Sequence, residues 1–499
     1  TAFKALRTQH LFFTLREGQH QLHAIVGEYV QQHFNEHDDH SNMQQLQEAH
    51  VRAAHYYQHQ ASHPLPRGKR QQMSDGASLV EATWHLCQAK KWKEAYTLME
   101  EENLFLALGR WGRAALLLDL CQLLLPLDKW SPDPVQTIRF TLHLGQIYER
   151  LGRLMEAQAS YQDALERCRA VGDYGGQSTA LNNLGGISLD LGKVEEALQH
   201  YEEALLLSRE GGYRREEAIR LSNLGEVYKL LGQKEKARGY FEEALQMSRI
   251  AGDQEGEAMA LNNIGSILDD GGKREEALVS YQEALHIRKE IADRLGEGTL
   301  LGNLGKIYDD LGRQEEAHAC YEQALHIARE IGYRAGEAAA LHNLGFRYQQ
   351  RGQHDLAQRH LEEALRLRRE IGDRGGEGIT LNNLGGVYME LGEEEKAWTS
   401  HEQALKISRE IGNRDGEGSA LWNMSLFYFR QHQYDIGLAY LVVAKEIFEE
   451  IHAPERDEVQ RWIDAIRTRF GDDQFTVMMT RIEQAFENKE EQEEKNMLE

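Results

Sequence analysis

Residues 180–212 read ALNNLGGISLDLGKVEEALQHYEEALLLSREGG. They open a 40-residue block that recurs seven more times, once upstream and six times downstream, with no slip of register. Leu181, Leu221, Leu261, Leu301, Leu341, Leu381 and Leu421 share one position, Gly192 and its equivalents to Gly392 a second, and Ala164 and its equivalents to Ala444 a third. A fixed period in this range predicts an array of stacked units, none of which can bury its apolar face alone. Within one unit, Leu181, Leu184 and Leu191, with Gly185 and Ile187 beside them, have the 3.6-residue period of a first helix. Gly192 suits the left-handed conformation that closes it. Ala197, Tyr201, Ala204 and Leu205 form the stripe of a second helix. The small residues Gly185, Ala197 and Ala204 are expected where the two helices approach closely. In the connectors, Gly372 suits a helix C-cap and Asp373 the next N-cap, and Glu377 favours the first turn.

The totals agree with a helical array. The 499 residues include only 6 prolines, and 28% are charged. A net charge of −24 argues against a nucleic-acid-binding surface, which needs clustered Lys and Arg. Cys87, Cys121, Cys168 and Cys320 lie far apart without a pairing rhythm, which fits free thiols in a reducing, cytoplasmic setting. No apolar run reaches the ~18 residues of a membrane span, and no signal peptide is seen. The chain begins with Thr and is read as a fragment of something longer or a processed product.

Outward from the array, residues 1–40 suggest a short hairpin around Gly18 followed by helical spacing at Ile25, Val26, Tyr29 and Val30. A winged-helix-like segment fits this; two helices with a turn at Glu17–Gly18 is the alternative. Residues 41–134 read as irregular helical pairs, in which LALGRWGRAALLLDLCQLLLP (106–126) is expected to be buried. The array spans 135–451 in eight repeats, the last enriched in aromatics (Trp422, Phe427, Phe429, Tyr434) as a terminal repeat should be. Residues 452–472 read as a capping helix, and 473–499 as an acidic, partly disordered tail.

Leu184–Gly185, Gly192, Ala197, Tyr201 and Ala204 stand at the offsets of the tetratricopeptide repeat, which these blocks resemble over about two thirds of the chain. The usual period is ~34 residues; the longer one here, with Leu181 in place of the usual Trp and no closing Pro, resembles the long-helix members found in Pins-type scaffolds, bacterial Rap-type regulators and STAND-type signalling NTPases. QLHAIVGEYV (21–30) is similar to a line in the winged helix that joins the NTPase of bacterial STAND proteins to their repeats, through Leu22, His23, Val26, Glu28 and Tyr29, with Ala24 where that line has Pro. The resemblance implies an all-α, right-handed superhelix that serves as the sensor arm of such a regulator, with an NTPase module upstream. It equally admits a constitutive Pins-like scaffold or a substrate-presenting accessory of an enzyme. The chain has no GxxxxGK[ST], so no P-loop nucleotide and no cofactor is expected.

The candidate binding residues are Asn183, Asn223, Asn263, Asn303, Asn343, Asn383 and Asn423, one per repeat except the first, where His143 stands. Each lies two residues past the stripe Leu, ~200° round the helix. The resemblance places that position on the concave groove, where an amide can donate to and accept from a peptide or protein backbone. A structural bond to the neighbouring helix is the other reading. The flanking positions drift, and Glu226, Lys306, His342, Phe346 and Trp422 are the expected specificity residues. Asp269, Asp270, Asp309 and Asp310 end first helices and could form an acidic groove edge for a basic ligand, or a solvated one. Recurrent connector arginines such as Arg374 are expected to pair with residues of the Glu377 type. His55 and His59, one helical turn apart, lack the companions of a metal site, and no catalytic arrangement is found.

Overall fold

The structure, a computed structural model, describes residues 39–61 and 76–484 apart from 111, 126, 128, 129 and 131. The predicted winged-helix-like segment up to residue 38 and the tail from 485 lie outside the described residues. Every regular element described is helical. The chain forms two compact bodies, Thr1–Gln233 and Lys234–Glu499.

The first body begins with α1 (Asp39–Ala61), α2 (Ala77–Gln88), α3 (Trp92–Glu101), α4 (Leu104–Arg110) and α5 (Ala114–Leu123). Leu116, Leu117, Leu118, Leu120 and Cys121 of α5 are buried as expected, in one cluster with Leu86, Tyr96, Met99, Leu108 and Trp130. The regular repeats begin at α6 (Pro134–Arg150), where Pro134 occupies the first turn and Asp133 forms a capping box with Gln136. Then follow α7 (Leu154–Val171), α8 (Tyr174–Asp190), α9 (Val194–Glu210) and α10 (Arg214–Leu230).

The second body comprises α11 (Lys234–Ala251), α12 (Gln254–Asp270), α13 (Arg274–Glu290), α14 (Arg294–Asp310), α15 (Gln314–Ile331), α16 (Arg334–Gln350), α17 (His354–Ile371), α18 (Arg374–Leu391), α19 (Glu394–Glu410), α20 (Arg414–Arg430), α21 (Tyr434–Glu450) and α22 (Glu455–Phe470). A further helix, α23, covers 472–484. This corrects the reading of 473 onward as tail: Met478 and Ile482 are buried with Val459, Ile463 and Leu441, and Phe475 packs beside them. The apolar spacing of 475, 478, 479 and 482 is helical, and the acidic composition of the chain end obscures it.

Two local rules generate the hairpins. Gly192, Gly312 and Gly392 have φ of 73°, 73° and 76°, so the first helix ends in a left-handed residue without a Cβ penalty. The side chains of Asp173, Asp293, Asp373 and Asn413 cap the next helix by accepting from the N–H of Gly176, Gly296, Gly376 and Gly416. The second rule is close approach. A Cβ placed on Gly305 would lie 2.4 Å from the ring of Tyr321, and one on Gly185 2.7 Å from that of Tyr201. Both rings are buried. Gly305→Ala is therefore expected to cost ~1–3 kcal/mol through overpacking, although Ala is the better helix former; a chemical melt of the variant in which stability is unchanged would contradict this.

Candidate ligand groove

All seven candidate asparagines are half-buried on first helices. The carboxamide of one repeat reaches back 41 residues to the flank of the repeat before it. Asn223 Nδ2 donates to Asn182 Oδ1 at 2.6 Å, and Asn303 and Asn423 donate to Asn262 and Asn382 at 3.0 Å. Asn383 Nδ2 lies 3.3 Å from His342 Nε2. The neighbouring-helix bond weighed for the sequence pattern is thus present at four steps, and it consumes donors but leaves the ladder Oδ1 atoms of these four unused by it. At the remaining steps the partner is of another kind. Asn183 accepts from Asn182 at 3.4 Å while its own Nδ2 is buried without a partner, because residue 142 is Leu. Asn263 accepts from Asn262 at 3.2 Å. For Asn343 the residue at the same 41-residue step is Gly302, which has no side chain to offer.

His342 is the drifting residue most deeply built in. Its Nε2 accepts from Asn383, so its Nδ1 carries the hydrogen and points at Thr380 Oγ1, 3.3 Å away, whose hydroxyl donates to the Gly376 carbonyl. Burial, with Arg368 nearby, holds its pKa down at about 4. Of the others, Lys306 is exposed and pairs with Asp269 at 3.0 Å. Phe346 is 41% exposed. Glu226 is half-buried on α10. Trp422 turns into the core, edge-on to Phe448.

The acidic edge is largely paired with the chain's own cations. Besides Asp269, Asp309 lies 2.7 Å from Arg347 and accepts from the Tyr321 hydroxyl at 3.1 Å, and Asp310 lies 3.5 Å from Arg274. The Asp270 backbone carbonyl accepts from Lys234. Burial raises the Asp309 carboxyl, with Arg347 opposing.

The connector arginines pair as expected. Glu377, 5% exposed, accepts from Arg369 at 2.8 Å and from Arg374 at 2.6 Å, and Arg374 also reaches Glu410. Burial alone would raise its pKa, but the two arginines hold it below the usual carboxylate range. Glu337 and Glu417 repeat this arrangement. Among the described residues no group of three or more His, Cys, Asp or Glu could hold a metal, and no helix is long and apolar enough to cross a membrane. Two polar residues of the seam escape the sequence reading. His401 takes the place of the second-helix Tyr, covers Gly385 and donates from Nδ1 to Asn382 Oδ1 at 3.0 Å. Arg347 stands where the other repeats have Ile, Val or, in the last, Phe427. The signal for both is a polar residue at a position that is otherwise apolar or aromatic in every repeat.

Four stretches of the chain, 137–205, 176–250, 256–330 and 336–410, match the model of the Tetratricopeptide repeat and together cover more than half of it. No curated protein matches the sequence. Among solved structures, a Signal Transduction ATPase with Numerous Domains (STAND) protein with a tetratricopeptide repeat sensor, from Pyrococcus horikoshii, is similar with a TM-score of 0.51 and 16% identity over 83% of this chain and 54% of that one. The apo quorum sensor NprR from B. thuringiensis has a TM-score of 0.49 and 17% identity over 78% and 99% of the two chains. BtubC from P. vanneervenii has a TM-score of 0.38 and 24% identity over 44% and 90%.

Proposed function

The chain belongs to the tetratricopeptide repeat family, and we propose that it binds a peptide or an extended protein segment along the face of its first helices. The observation that carries this is the recurrence of half-buried asparagines at one position of the first helices, two in the first body and five in the second. Most keep an amide oxygen free of the repeat-to-repeat bonds, and the exposed Phe346 and Lys306 vary around them. An extended backbone presents donors and acceptors in regular alternation, which a row of amides matches without regard to sequence. Variable neighbours then set specificity.

We further propose that the array is the sensor arm of a bacterial, cytoplasmic STAND-type regulator whose NTPase module lies upstream. The residues of 21–30 support this, as does the shared fold of the P. horikoshii protein with its tetratricopeptide repeat sensor. Ligand binding in the array would release the NTPase from inhibition, so the chain itself supplies recognition and not catalysis. With the upstream module restored, a groove-binding peptide is expected to raise ATP turnover severalfold. Turnover that ignores the peptide and is unchanged by deleting 135–451 would sink the sensor reading and leave a constitutive scaffold in its place.

A further inference from the structure

In the second body, the ladder bonds follow one register. Asn303, Asn383 and Asn423 each send Nδ2 to the residue 41 positions earlier, which is Asn262, His342 or Asn382. Asn343 is on the same face, and the residue 41 positions earlier is Gly302. No side chain fills that place. A Cβ built on Gly302 meets no heavy atom within 4 Å, so the space that an Asn or His occupies at the other steps stands open here. The contrast with the first body is informative. There Leu142 fills the equivalent place opposite Asn183 and packs against the neighbouring apolar cluster, so the amide is orphaned but the space is closed. Gly386, another glycine on this face, is also covered, since its Cβ would lie 3.1 Å from the Gln349 amide. A mid-helix Gly costs ~1 kcal/mol relative to Ala, and here no close approach of another chain segment requires it.

The surroundings define what would fit. Thr299 and Lys306, about one turn either side of Gly302 on α14, are exposed, as is Phe346 one turn beyond Asn343 on α16. Lys306 is already held by Asp269, and Asp309 by Arg347. These charges are therefore matched within the protein, and the Asn343 amide offers a neutral donor. This favours a neutral acceptor over a carboxylate.

We infer that Gly302 and Asn343 form a ligand notch in which an amide carbonyl takes the place that Asn262, His342 and Asn382 fill at the other steps. The carbonyl accepts from Asn343 Nδ2, and an apolar side chain of the same segment lies against Phe346. The notch rests on the groove-binding reading above and adds where along the array the ligand is registered. The carbonyl can come from the ligand backbone or from an Asn or Gln side chain.

The test uses heptapeptides selected from a random displayed library on the intact chain, with affinities then measured by fluorescence polarisation. Gly302→Asn supplies an internal acceptor and fills the space. It is expected to raise the melting temperature and to weaken the selected peptides at least tenfold. Asn343→Ala is expected to weaken them similarly with an unchanged melting temperature, because its amide has no internal partner to lose. Asn303→Ala, which gives up the bond to Asn262, should lower the melting temperature. Peptides without Asn or Gln that respond in this way place a backbone carbonyl in the notch; peptides that need one place a side chain there. Affinity unchanged in either Gly302→Asn or Asn343→Ala overturns the notch. If the same peptides still lose affinity on Phe346→Ala, groove binding stands without it. A library that yields no binding peptide overturns both.

Discussion

Arg347→Ala is expected to destabilise the second body by ~3–5 kcal/mol, read as a lower denaturant midpoint of the chain. Arg347 is 2% exposed on α16, at a position held by Ile187, Ile267, Ile307 and Val387 in other repeats. Its guanidinium lies 2.7 Å from Asp309 and also donates to the Gln314 carbonyl and to Gln350 Oε1, both at 3.2 Å. Removing it leaves Asp309 in a desolvated place with only the Tyr321 hydroxyl as a donor. The cost is that of a stranded carboxylate, not the worth of the pair, since two charges withdrawn from water recover in mutual attraction little more than they lose. The double replacement Arg347→Ile with Asp309→Leu, which copies Ile187 and Leu189, is therefore expected to recover to within ~1.5 kcal/mol of the parent. A single variant that costs less than ~1 kcal/mol, or a double variant no better than the single, would show that the ion pair is not what holds α14 to α16 here.

The second large effect is acid destabilisation of the same body in two steps. His342 and His401 both have pKa values held down at about 4, chiefly by burial, against an ordinary 6.5. Each is thus neutral in the folded chain where it would be protonated in the unfolded one. The unfolded state binds more protons between these values, so stability falls as the pH drops from 6.5 towards 4, by on the order of 3 kcal/mol per histidine. Protonation also removes the acceptor on which Asn383 depends, because a charged imidazole has two donors and no lone pair. The second step belongs to Glu337, Glu377 and Glu417. Their depressed carboxyls contribute stability above the ordinary value of 4.5 and lose it as the pH falls further. His342→Asn and His401→Tyr copy residues at the same positions of other repeats, namely Asn382 and Tyr321, and so remove the titration while keeping the packing. Together they are expected to flatten the stability curve between pH 6.5 and 4 and leave the lower step in place. An upper step of the same size in the double variant would assign it to other groups.

Much of the fold is written in one dimension. A helix advances 100° per residue, so Leu181, Leu184 and Leu191 must share a face, and Gly192 must close the helix that carries them. Gly185 and Tyr201 face each other for the same reason, and the pairing of Arg374 with Glu377 lies within a single turn. The helix over 472–484 was hidden because four apolar residues carry it in a strongly acidic segment. Buried Arg347 was hidden because an arginine in a repeat normally signals surface.

The ladder divides between the two sources. Its existence, its spacing and the helix that bears it follow from the sequence, since the 40-residue unit carries the Asn at the same place in its first helix in every repeat but the first. Which of its amides are spoken for does not. That depends on how far one first helix is offset along the next, an offset produced by side-chain packing between hairpins and expressed as the 41-residue bonds of Asn223, Asn303, Asn383 and Asn423. Only with that offset in hand does Gly302 fall in register with Asn343, and a repeat position that reads as drift become the proposed notch.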